Sequence, residues 1–138
     1  MSLTETVPFA PIFATLQSAE LEAQWRDMAN DVDVPQTIRE EEFVWIHKLR
    51  DDFVKTLSDI TDTEDMRMTL AIRYIELKCA WIQFNTTNNY CLMNTGNVDG
   101  RSVLKSCLLS HLLGNVESLL KAEEIAQISD FLSRPINT

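Results

Sequence analysis

TEDMRMTLAIRYIELKCAWIQFN, residues 63–85, carries two apolar stripes on one segment. Met66, Leu70, Tyr74, Leu77, Trp81 and Phe84 recur at three- and four-residue steps, the spacing of one helical face. Met68, Ala71, Ile72, Ile75, Cys79 and Ile82 form a second stripe on nearly the opposite side. A helix that is apolar on two faces buries both of them. The segment therefore predicts an all-α protein, a single-domain bundle with this third helix at its centre or shared between the core and a partner. Thr61 and Glu64 have the spacing of a capping box that would start it.

The flanking segments read as helices too. Leu21, Trp25, Met28 and Val32 give a first helix from Ile12 to about Asn30, with Pro11 in its first turn and Val34-Pro35 after its end. Thr37 and Glu40 predict a capping box for the second helix, whose stripe is Ile46, Leu49, Phe53, Leu57 and Ile60. Residues 86–100, rich in Asn, Thr and Gly, read as a long loop in which Tyr90, Cys91, Leu92 and Met93 pack back on the bundle or extend the third helix by a turn. Asp99 then caps a fourth helix from Gly100 to Leu120, with Gly114-Asn115 a candidate break. Ile125, Ile128 and Leu132 mark a short fifth helix ending at Arg134-Pro135. Residues 1–11 form an N-terminal extension to a domain spanning 1–138. Five helices in 138 residues suffice for one core without disulfide or metal staples. With 3 Gly and 4 Pro the chain has little turn chemistry for a β fold.

Charge narrows the function classes. The chain carries a net charge of −9, concentrated in residues 1–65, where 15 acids and 5 bases stand. Such a surface repels phosphate backbones, so no direct nucleic-acid partner is expected. It suits a basic protein partner. No stretch approaches the ~18 apolar residues a membrane span needs, and no membrane partner is expected. Three cysteines, an odd count with no secretory leader, read as reduced thiols of a cytoplasmic protein. Cys79 is expected in the core and Cys91 is expected to be the exposed thiol.

Catalytic and metal motifs are sparse, and the sequence predicts no enzyme, cofactor or metal site. Helical di-iron sites need Glu-x-x-His pairs, but Val44 precedes His47 by three and Leu108 precedes His111 by three. The cysteines are 12 and 16 positions apart, too far for a zinc knuckle. Asp59, Asp62 and Asp65 lack the spacing and glycine of a calcium loop. On the second helix, Glu40, Glu41, His47, Lys48, Asp51, Asp52 and Lys55 form a solvated face tied by ion pairs three and four residues apart. Glu42 and Arg50 lean toward the apolar side, where they can pair with neighbouring helices.

The surplus of apolar faces predicts a non-catalytic interaction or assembly module that self-associates, since large uncovered patches mark interfaces. Two alternatives are an acidic regulator that occupies a basic groove on a larger protein, and a small helical enzyme using histidine with a cysteine or carboxylate. Candidate partner contacts are Glu41, Val44 and His47 on the second helix, and Met68, Ile72 and Ile75 on the third.

Overall fold

Helix ends are set by the chemistry at each corner. The computed structural model describes Ala14 and residues 16–133; the expected extension over 1–11 and the start at Ile12 lie outside these. The elements, all helices, are α1 (Ala19–Asn30), α2 (Gln36–Ser58), α3 (Thr63–Thr95), α4 (Gly100–Glu117) and α5 (Ala122–Ser133). Ser18 caps α1 by accepting from the Leu21 N–H at 3.2 Å, so the helix starts there rather than running through from Ile12. At its other end Arg39 holds the turn. Its Nε donates to the Ala29 carbonyl and its Nη2 to those of Val32 and Val34, tying the end of α1 and the turn after it to α2.

The two expected capping boxes do not form. α2 begins one residue earlier, behind Pro35, with no side-chain cap. Proline brings a preset φ and no donor to satisfy. α3 begins one residue later than Thr61 predicts. Asp62, a stronger cap than Thr, accepts from the Asp65 N–H at 2.9 Å. Asp99 does cap α4, accepting from Arg101 N–H at 3.1 Å.

The largest departure from expectation is the predicted 86–100 loop. α3 runs unbroken to Thr95 and closes on Gly96, whose φ of 74° is the left-handed conformation that ends helices. Asn and Thr weaken helices because their side chains compete for backbone groups. Here Asn94 and Thr95 spend that capacity on the carbonyls four residues back, those of Tyr90 and Cys91. Asn85 and Asn88 spend theirs on α4: Ser106 donates to Asn85, and Asn88 donates to the Ser102 carbonyl.

The third helix is the longest and packs on α2, α4 and α5. α4 lies against α1, α2 and α3 together, which explains its broad apolar arc: Leu104, Leu108, Leu109, Leu112, Leu113 and Val116 are all buried. The inner face of α3 is the stripe Met66–Leu70–Tyr74–Leu77. Tyr74 donates to Glu117 at 3.0 Å; burial first, then that carboxylate, pushes its phenol up to about 12. α5 is held by Arg67, whose guanidinium bonds Glu124 and the Leu119 carbonyl. Burial raises the Glu124 pKa, but Arg67 and the Lys121 backbone N–H outweigh it and hold the carboxyl below its usual range.

Gly114 does not break α4, which continues to Glu117 because buried Leu112, Leu113 and Val116 pin both sides of it. A Cβ there would meet nothing within 4 Å. Gly114→Ala therefore stabilises the bundle by about 0.5–1 kcal/mol through the entropy of the unfolded chain. A guanidinium unfolding series followed by circular dichroism measures this as a raised midpoint at constant slope.

Candidate interaction surface

The two stripes of α3, expected to place it at the bundle's centre or to share it between the core and a partner, differ in burial. The inner stripe is buried, while the outer one faces away from the bundle: Met68 is 60% exposed, Ile72 51% and Ile82 42%. Ile75 is half-buried against the core and Cys79 is exposed, not a core residue. Cys91, expected to be the exposed thiol, is half-buried. The third thiol, that of Cys107, is half-buried and its pKa is pushed up by desolvation.

Because α3 continues past residue 85, the outer stripe continues too. Met68, Ile72, Ile75, Cys79, Ile82, Thr86, Asn89 and Met93 alternate steps of four and three without a break. From Met68 to Ile82 the apolar positions keep the period of about 3.5 residues per turn of helices that wind around another helix, while the next two positions, Thr86 and Asn89, are polar before Met93. Thr86, Asn89 and Met93 are exposed, as are Met68, Ile72, Cys79 and Ile82, whereas Ile75 is half-buried. Tyr90 flanks the far end of the seam and is 67% exposed. At the near end, Met68 and Ile72 line a shallow cavity of about 420 Å³ at the α2–α3 corner, rimmed by Asp59, Asp62 and Asp65. Among the described residues no group of three or more His, Cys, Asp and Glu side chains is placed to hold a metal ion.

The α2 candidates do not join this seam. His47 is not on a solvated face. It is half-buried at the α1–α2 contact, its ring edge-on to Trp25 at 5.1 Å. Its Nδ1 lies 2.6 Å from the Phe43 carbonyl oxygen and its Nε2 lies 3.2 Å from a Glu22 oxygen. Arg50 reaches the same Glu22 oxygen at 3.3 Å and Asp51 at 3.1 Å. Arg50 foremost, with His47 beside it, holds the Glu22 carboxyl below its usual range against the opposing effect of burial. Glu41 is exposed and tied to Arg101 at 3.3 Å. Val44 is 70% exposed, but it stands alone on the outer face of α2. The expected Lys48 and Lys55 pairs with Asp51 and Asp52 are not formed, since Asp51 turns to Arg50.

Glu42 and Arg50 are buried where their helical positions placed them. Glu42 is 2% exposed and meets Arg101 at 3.2 Å and Lys105 at 2.5 Å. The Lys105 contact is an ion pair without hydrogen-bond alignment, because the Oε1 it faces has no aligned donor. The Lys105 ammonium also sits 4.0 Å from the Trp45 ring centroid. This network ties α2 to α4 and has a structural role.

Among the described residues no helix is long and apolar enough to cross a membrane. Comparison with protein-family models, with curated proteins and with solved structures gives no match to this chain. What fold and surface define is a class: an all-helical bundle whose longest helix carries exposed apolar side chains, Met68, Ile72, Ile82 and Met93, on its outer side.

Proposed function

We propose that the protein is a non-catalytic assembly module whose copies pair through the outer seam of α3. The observation that carries this reading is the four–three alternation of apolar residues from Met68 to Ile82 on the outer side of α3, where Met68, Ile72, Cys79 and Ile82 are exposed, with Met93 exposed at the same spacing beyond Thr86 and Asn89. An amphipathic helix that only covers its own bundle needs one stripe; a second, heptad-spaced stripe on the far side is the pattern of a helix with a helical neighbour. A second copy supplies a helix of the same length and period, and two-fold pairing is the commonest solution for identical chains.

The seam extends ~37 Å at 1.5 Å per residue. Burying its large side chains removes on the order of 400 Å² of apolar surface per copy. With the polar rows beside them, that reaches the lower range of specific interfaces, about 1,200 Å² in total. A dimer with Kd of about 1–100 µM is expected, ~5.5–8 kcal/mol.

Sedimentation velocity across that concentration range should show a monomer–dimer equilibrium. Ile72→Asp with Ile82→Asp should weaken it at least 100-fold, about 2.7 kcal/mol, since a carboxylate would be buried unpaired at each site. The far-UV circular dichroism should not change, because both side chains are about half exposed in the single chain. Cys79 gives an independent readout, since maleimide labelling of its exposed thiol should slow as wild-type concentration rises and not in the double variant. A strict monomer at millimolar concentration, with labelling independent of concentration, would sink the reading.

A further inference from the structure

A second surface, independent of the α3 seam, lies on the other flank of that helix. α2 and α3 both pack on α4 and touch each other little. Between them runs a half-open groove of about 500 Å³. Trp45, Leu49 and Phe53 form its α2 wall at four-residue steps, Leu77 and Ala80 its α3 wall, and Leu109 of α4 its floor. The α2 wall from Trp45 to Thr56 spans three helical turns, ~16 Å. It is a set wall: the Trp45 ring is held edge-on by Phe84 at 6.4 Å and capped by the Lys105 ammonium.

The charges at the rim are unbalanced. Arg73 is taken up by Glu76 at 2.9 Å on its own helix. Across the groove the exposed carboxylate of Asp52 pairs with neither Lys48 nor Lys55 and engages no cation among the described residues. An apolar trough three turns long with one unmatched carboxylate on its lip fits one kind of occupant. We propose that this groove docks an amphipathic helix from a basic protein partner. Apolar side chains at i, i+4 and i+7 lie along Trp45, Leu49 and Phe53, and a lysine or arginine one turn on meets Asp52. Helix-in-groove recognition takes its affinity from such anchors and its selectivity from the charge beside them.

The probe is a fluorescein-labelled helical peptide of about 14 residues, ~20 Å. It carries leucines at i, i+4 and i+7 and one arginine on an alanine–glutamine background. It is titrated into the full chain and into the Ile72→Asp/Ile82→Asp protein, followed by anisotropy. Saturable binding is expected, with the same Kd for both proteins. Asp52→Lys, an exposed substitution, should weaken it at least 10-fold, and a peptide with glutamate in place of arginine should regain at least 5-fold on that variant. A peptide whose leucines are replaced by alanine should not bind. The proposal is overturned by an absence of saturable binding, by binding indifferent to Asp52→Lys, or by an arginine-free leucine peptide that binds as tightly. Loss of binding in the Ile72→Asp/Ile82→Asp protein would also overturn it, since the peptide would then be reading the α3 seam.

Discussion

Replacing Trp25 with alanine removes about 3–5 kcal/mol of stability, a large share of the ~5–15 kcal/mol that holds a domain of this size. The indole is fully buried and is the largest side chain that ties α1 to the bundle. Its Nε1 donates to the Leu108 carbonyl of α4 at 3.1 Å, a contact spanning 83 residues of sequence. The ring is the surface on which two α2 side chains settle, His47 by its edge and Arg50 with its guanidinium carbon 5.7 Å from the centroid. Alanine leaves a cavity where three helices meet, and α1 is too short, at 12 residues, to persist without packing. Trp25→Phe separates the contributions. It keeps most of the apolar volume and loses the hydrogen bond, so it should cost about 1–2 kcal/mol. Guanidinium unfolding at constant slope measures both. A cost below 1 kcal/mol for the alanine variant would mean that α1 does not dock as described.

How far the sequence reveals this arrangement depends on which force acts at each position. Where burial acts alone, the periodicity is sufficient: Leu21 and Trp25 on α1, and Ile46, Phe53 and Leu57 on α2, are buried as their spacing predicts. Glu42 and Arg50, breaks in an apolar pattern, are legible as internal ion pairs for the same reason. Cap positions fail by two residues at α2 and by one at α3, because Thr37 and Thr61 compete with Pro35 and Asp62 and local preferences of similar size decide. The 86–95 segment fails more completely. Its Asn and Thr are poor helix formers taken singly, and the contacts of Asn85 and Asn88 with α4 that hold them helical are invisible along the chain. The outer stripe shows its four–three spacing from Met68 to Ile82, and the continuation of α3 adds Met93 beyond the polar Thr86 and Asn89. The signal that separates the two faces is present. The inner stripe steps 4-4-3-4-3 from Met66 to Phe84 and holds the large aromatics Tyr74, Trp81 and Phe84, while the outer stripe keeps strict alternation and has no aromatic side chain. His47 departs from its expected solvated face because its partner, Glu22, comes from α1, 25 residues away.

Glu42→Ala is the second large effect, and its sign depends on what is done to its neighbours. The carboxylate is 2% exposed, between Arg101, whose side chain is 38% exposed, and Lys105, 22% exposed. Removing it alone leaves two cations facing a void at the α2–α4 contact, which for a buried pair costs about 3–5 kcal/mol. Both cations have a route to water, and Arg101 keeps Glu41, so the lower end, about 3 kcal/mol, is expected. Lys105→Ala alone also removes the ammonium from the Trp45 face, and should cost about 1–2 kcal/mol. The double-mutant cycle then isolates the pair, with a coupling of about 1–2 kcal/mol if the 2.5 Å contact persists in solution. Glu42→Leu with Lys105→Met tests the opposite limit. Both charges leave together and apolar volume fills the contact, so stability should return to within about 1 kcal/mol of the parent or exceed it. If the charged pair instead proves far more stable than the apolar one, Glu42 contributes through alignment of α2 on α4 and not through its charge alone. The groove beside it would report this, since Trp45 is held in place by the same Lys105, and the leucine–arginine peptide should then bind the apolar variant more weakly.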